Sequence, residues 1–389
     1  MTATDVLAPA PEILTQSVTT GRARSQLARK TREALLGYAL VLPALLVFAV
    51  FVFWPFAKTI RQSFFRTPPF PGLPDRYAGF DLYQEVIAPS GLARAFGYGL
   101  IVGVVAGVLS ALLAYVLRRA SGRPTGVRAL LPTFGWVTGG VAVVATVQRY
   151  HTMSLPGFAP RFANSVWVTM LFIALTVPIS VVLGVGMAVL AHAKLKGIGV
   201  YRTVFSSTVI SSVAVTSAIF YTLLNPQIGL IPYLLGERGG TSLLENPTWA
   251  LPLVAAATVW QNLGLSFIVI SSGLQSVPDE LHEAAAVDGA GPWRRFWNVT
   301  LPMLSPTLFF VLVVGLIFAL QTFGQIDILT QGGPNKKTTT IVYLINEVGL
   351  GTGRNPGYAA VIAIALFLIT LAVTVLQLKV LERRVSYER

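Results

Sequence analysis

The sequence contains no cysteine. That absence excludes disulfide frameworks, thiolate metal sites and cysteine nucleophiles together. Charge is scarce as well: 12% of the 389 residues are Asp, Glu, Lys or Arg, against about a quarter in an ordinary soluble domain. The histidines His151, His192 and His282 are scattered, with no metal-ligand spacing. No Gly-x4-Gly-Lys-Ser/Thr phosphate loop occurs, so the chain itself is not expected to hydrolyse ATP. No Ser-His-Asp set or close carboxylate pair falls within the apolar runs, so enzyme chemistry has little to stand on.

What remains is apolar. Hydrophobic residues make up 54% of the chain, more than a soluble core of this size can hide. A helix needs about 20 apolar residues to cross the hydrocarbon core. Eight stretches qualify, at 35–56, 96–117, 129–148, 163–190, 204–224, 249–272, 302–323 and 357–378, and none contains Lys, Arg, Asp or Glu. The third carries Pro132, Gly135, Gly139 and Gly140, residues a span tolerates when neighbouring helices satisfy the backbone. The expected fold class is an all-α integral membrane protein with about eight transmembrane helices.

The net charge of +13 would suggest nucleic acid in a soluble protein. Here the basic residues cluster beside apolar runs, so they read as topology signals and headgroup contacts. With the N-terminus inside, the cytoplasmic segments hold Arg22, Arg24, Arg29, Lys30 and Arg32, then Arg118, Arg119, Arg123 and Arg128. Lys194, Lys196, Arg202, Arg294, Arg295, Lys379, Arg383, Arg384 and Arg389 follow. This bias fits cytoplasmic N- and C-termini and an even number of spans. Lys58, Arg61 and Arg66 are the exception, and an interfacial helix after the first span would hold them. The expected layout is a disordered cytoplasmic tail (1–33), a first span (34–56), a proline-rich external loop (57–95), a transmembrane hairpin (96–149) and a helical core (150–389). The polar tail before the first run argues for a retained span rather than a cleavable signal.

One polar island interrupts the core: residues 283–302 read EAAAVDGAGPWRRFWNVTLP. Pro278 suits a first helical turn, Asp279 and Glu280 sit at the positive end of the dipole, and Gly289, Gly291 and Pro292 end the helix. A helix of two or three turns across the end of a bundle follows. Ala284, Ala285 and Ala286 permit close approach, while Glu283 and Asp288 offer charge to a basic partner. An ordinary solvated loop would explain a lone EAA triplet. It does not explain the frame EAA-x3-Gly289-x9-Val299-x-Leu301-Pro302.

That frame resembles the EAA loop of the permease subunits of ATP-binding-cassette (ABC) importers. The likeness extends to Ser165 and Thr169 at the start of the fourth span, to the lead-in 273–278, and to Thr330-Gln331-Gly332-Gly333-Pro334 after the seventh. It covers the first span and roughly 163–389 and points to the carbohydrate-type branch, within which segments 283–297, 322–334 and 381–387 look most like the subfamily that imports sn-glycerol 3-phosphate. The resemblance implies a type I importer permease fold, with the hairpin 96–149 as an addition, in a bacterial inner membrane. It implies a coupling loop (273–301) in which Glu283, Ala284, Ala285, Asp288, Gly289, Leu301 and Pro302 engage a cytoplasmic ATPase dimer. It further implies a second permease chain, an extracytoplasmic solute-binding protein facing Gly332, Gly333 and Pro334, and ATP and magnesium held on the ATPase, with no cofactor in this chain.

A polar solute crossing the membrane needs polar side chains facing a water-filled cavity. Trp260, Gln261 and Asn262 in the sixth span are the first candidates; Gln321, Gln325 and Asp327 after the seventh, and Tyr221 in the fifth, complete the set. The serines and threonines of the fifth span more often pack between helices and bond carbonyls. No metal site is expected. The alternative is a secondary transporter or channel working without an ATPase, which predicts ionisable residues inside the spans; none is there.

Overall fold

The computed structural model describes residues 36–68, 73–87, 158–192, 198–236, 239–240, 242–351 and 354–381. The tail 1–33, the hairpin 96–149, Arg149, Lys194, Lys196 and everything after 381 lie outside the described residues. The chain divides into two units, Met1–Arg61 and Gln62–Arg389.

In the first unit the described residues form one apolar helix, α1 (Leu36–Gln62), ending one residue past the boundary. Of Lys58, Arg61 and Arg66, for which the sequence suggests an interfacial helix, the first two lie in the last turns of α1 and the third beyond its end, and Thr59 Oγ1 bonds back to the Pro55 carbonyl at 2.9 Å.

In the second unit a two-residue ladder, β1 (Phe65–Arg66) with β2 (Arg76–Tyr77), pairs antiparallel, and α2 (Asp81–Ile87) follows. The remaining elements are α3 (Phe158–His192), α4 (Ile198–Ser206), α5 (Val213–Leu224), α6 (Leu230–Leu234), α7 (Ala250–Gln275) and α8 (Asp279–Val287). Then come α9 (Pro292–Met303), α10 (Ser305–Leu320), α11 (Gly324–Leu329), α12 (Ile341–Leu350) and α13 (Pro356–Leu381).

Helices α1, α3, α7 and α13 are each long and apolar enough to cross a membrane. Two bent pairs raise the number to as many as six among the described residues: Ile198–Ile210 with α5, at 107°, and α9 with α10, at 66°. Both bends correct expectations of single straight helices. Run 204–224 breaks at Ser211 and Ser212, whose ψ angles are 125° and 155°. Serine competes with the helix for its own backbone bonds, and Ser212 Oγ caps α5 by accepting the Val215 N–H at 3.3 Å. Run 302–323 yields only the 16 residues of α10, about 24 Å at 1.5 Å per residue. Pro306 near the start of α10 cannot donate to the turn before it.

Packing runs along α3 and α7, the most extensive helix pair of the unit. Small residues let them close: a Cβ on Gly184 would lie 2.8 Å from Ser266 Cβ, the device by which membrane helices gain van der Waals contact. Buried clusters follow one another along the bundle. One joins α2, α12 and α13 through Leu82, Ile341 and Ile362; a second surrounds Phe172 and Val254; a third surrounds Phe267, Ile270 and Leu304.

Candidate functional site: a short exposed helix and an amide-lined cavity

Helix α8 forms where its sequence signals place it. Pro278 is extended (φ −61°, ψ 133°) ahead of it, and Asp279 and Glu280 occupy the first turn. At the other end the Gly289 and Ala290 amides bond to the Ala286 and Ala285 carbonyls at 3.0 and 2.9 Å. Gly289 has φ +73°, the left-handed turn that glycine adopts without strain. Glu283, Ala284, Asp288 and Gly289 are exposed and Ala285 is half-buried. Among the described residues neither Glu283 nor Asp288 has a charged partner. Beside them Val287 is 89% exposed and Trp293 74%. Trp293 packs against Phe296 and Trp297 with ring centroids 6.2 and 5.7 Å away. Leu301 is half-buried and Pro302 exposed. They lie at the end of α9, in the turn into α10 marked by fully buried Leu304.

A second feature lies where α5, α7, α10 and α11 meet. Gln261 on α7 donates to the Ser211 carbonyl at 3.3 Å, a group left free by the break before α5. Gln325 on α11 donates to Gln261 Oε1 at 2.8 Å. The three groups form a relay along the wall of an open cavity of ≈ 400 Å³. Asn262, Gln321, Thr258, Thr322, Phe318 and Phe323 also line it. Four of the seven pathway candidates are thus brought together: Gln261, Asn262, Gln321 and Gln325. Trp260, Tyr221 and Asp327 are not; all three are exposed elsewhere. Trp260 stands one residue before Gln261 but is 43% exposed and outside the cavity lining. Thr258, missed in the sequence, stands three and four residues before Gln261 and Asn262, and that spacing is the signal that would have found it. Outside the cavity, Ser207 and Thr208 bond back to the Val204 and Phe205 carbonyls.

The Gly332–Pro334 loop is no plain turn. Gly332 is buried at φ +76°, where a Cβ would come within 2.5 Å of the Tyr343 ring. Buried Thr338 and Thr339 donate to the Gly333 and Gly332 carbonyls at 2.6 and 2.9 Å. Asn164 donates to the Lys336 carbonyl, and Thr169 accepts the Ile341 N–H at 3.0 Å, so the start of α3 holds the loop. Arg161 and Lys336 both pair with Glu347 at 2.7 Å.

A broken span, a short exposed helix and a polar cavity beside the break belong to one apolar helical bundle, and comparison with known proteins gives its class. The profile of binding-protein-dependent transport system inner membrane components matches residues 158–387, and the chain belongs to that family. It is the permease subunit of a binding-protein-dependent ABC importer, a multi-pass inner-membrane transport component rather than an enzyme. Over 229 residues it is 37% identical to the sn-glycerol-3-phosphate transport system permease protein UgpA of Yersinia enterocolitica, covering 58% of this chain and 77% of that one. The protein of the same description from Agrobacterium fabrum is also 37% identical over 229 residues, covering 58% and 78%. Among solved structures, a bacterial ABC transporter involved in import of the acidic polysaccharide alginate shares the fold, with a TM-score of 0.61 and 19% identity over 92% of this chain and 99% of that one. The alginate transporter in complex with a periplasmic protein bound to alginate pentasaccharide gives 0.60 at 19% identity, covering 94% and 100%.

Proposed function

We propose that this permease couples to a separate cytoplasmic ATPase dimer through α8, and that Gln261, Asn262, Gln321 and Gln325 line the path of a carbohydrate-type solute. The exposed surface of α8 carries the reading: Glu283 and Asp288 have no charged partner among the described residues, and apolar Val287 and Trp293 flank them. Exposed apolar and charged groups side by side suit a protein interface. ATP and magnesium belong to the ATPase, a second permease chain completes the pathway, and both termini face the cytoplasm. The binding protein delivers solute to the face that carries Gly332–Pro334. ATP and the loaded binding protein must favour the same conformation of the bundle, or no work is transferred. The curated relatives named for sn-glycerol 3-phosphate and the alginate importers support a sugar, oligosaccharide or glycerol phosphate as cargo.

The test is purification in mild detergent from the native membrane, wild type beside Glu283→Lys. An ATPase with a phosphate loop should co-purify with the wild type and be lost from the variant, which still inserts. Recovery of the wild type without any ATPase, or normal ATPase recovery with Glu283→Lys, would overturn the assignment.

A further inference from the structure

The hydroxyls of α3 are all buried, and one of them is unlike the rest. Ser165, Thr169 and Thr176 donate to carbonyls one turn back on the same helix, at 2.8, 2.7 and 2.8 Å. That is the usual way a hydroxyl is satisfied inside a span. Ser180 is 5% exposed, and its hydroxyl has no hydrogen-bond partner among the described residues. It lines a narrow gap of ≈ 20 Å³ where α3, α7 and α10 meet. We propose that this gap is a binding site for one ordered water, held by Ser180, Asn262 and Ser266.

Size comes first. A water needs roughly 10–15 Å³ of such space, so the gap takes one molecule and excludes a sugar or an acyl chain. The space is there because a residue of α10 is small: a Cβ on Gly315 would meet only Val177, at 3.7 Å.

Chemistry comes second. Cavities that stay empty are apolar, whereas a buried water needs two to four polar partners. Ser180 supplies one from α3, and Asn262 and Ser266 supply two more from adjacent turns of α7. A hydroxyl and an amide each donate and accept, so a water can complete its bonds with all three. The other side chains of the wall, Val181 and Val311 among them, are apolar and offer the Ser180 hydroxyl nothing.

Access comes third. Asn262 and Phe318 line both this gap and the open cavity of ≈ 400 Å³, which gives water a route in. Bound there, the water bridges α3 and α7 and gives the Asn262 amide a fixed partner. The assignment stands whatever solute the cavity carries.

The test is a structure of the complex, purified from its native membrane, in a map that resolves ordered water elsewhere in the bundle. One density peak is expected within about 2.5–3.2 Å of Ser180 Oγ and of Asn262 or Ser266. No peak in the gap, an acyl chain filling it, or a Ser180 hydroxyl turned onto an α3 carbonyl would overturn the proposal. Melting adds a sign. A hydroxyl buried without any partner destabilises, and its removal should raise the melting temperature; a hydroxyl bonded to water is lost at a cost. Ser180→Ala should therefore melt about 2 °C below the wild-type complex. An unchanged or higher melting temperature would overturn the water site as well.

Discussion

Gly289 adopts φ +73°, and a Cβ there would meet nothing within 4 Å. Space is free, so the backbone angle alone selects the residue. A residue with a Cβ pays about 1–2 kcal/mol for the left-handed conformation, more if β-branched, whereas asparagine visits it readily. Gly289→Val should therefore loosen the end of α8 and cut solute uptake several-fold while ATP hydrolysis by the complex persists, and Gly289→Asn should transport almost normally. Equal behaviour of the two, measured by uptake and phosphate release in parallel, would detach the glycine from coupling. At this scale the sequence was legible for α8, because Pro278, Asp279, Glu280 and Gly289 each act on the helix they adjoin. The cavity was legible only in part. Gln261 and Asn262 could be named as polar residues in a span, but nothing local says that Trp260 stays outside the cavity lining or that Gln325 reaches Gln261 across 64 positions.

At the scale of elements, the break between α4 and α5 is held from outside. A Cβ on Gly264 of α7 would lie 2.3 Å from Thr208 Oγ1 and 2.7 Å from the Val209 nitrogen. Backbone cannot move aside as a flexible side chain can, and overpacking costs about 1–3 kcal/mol. Gly264→Leu should push the break away from α7, part Gln261 from the Ser211 carbonyl and lower the melting temperature of the complex by several degrees. Gly291→Leu, where a Cβ meets nothing within 4 Å, should change melting little. The spans as such were readable because a helix in lipid must satisfy every backbone group within itself, which forces long uncharged runs. The bends were not readable. No proline or glycine interrupts 204–224, and the serines that permit the break serve equally well in an unbroken helix.

For the molecule as a whole, the even span count and the basic loops expected from the sequence put α8 and the Gly332–Pro334 loop on opposite sides of the membrane. Single cysteines read this directly, given a chain with none of its own. Lys337 and Glu280 are both exposed. Lys337→Cys should react with a membrane-impermeant maleimide on intact spheroplasts, and Glu280→Cys only after lysis. Labelling of both from the same side would void the orientation and with it the assignment of docking faces. Among the described residues four helices are long and apolar enough to span, or six with each bent pair counted as one, and the loop after α11 shows why distance along the chain hid its role. Its order comes from Asn164 and Thr169, each 172 positions away from its partner.

The relay from the break also has a handedness. A carbonyl can only accept, so the Ser211 oxygen compels Gln261 to turn its nitrogen toward the break and its oxygen toward Gln325. The amide of Gln325 is then oriented as well, and the order of donors and acceptors along the wall is written by the backbone. An interruption in one helix thus fixes the orientation of two amides on the cavity wall.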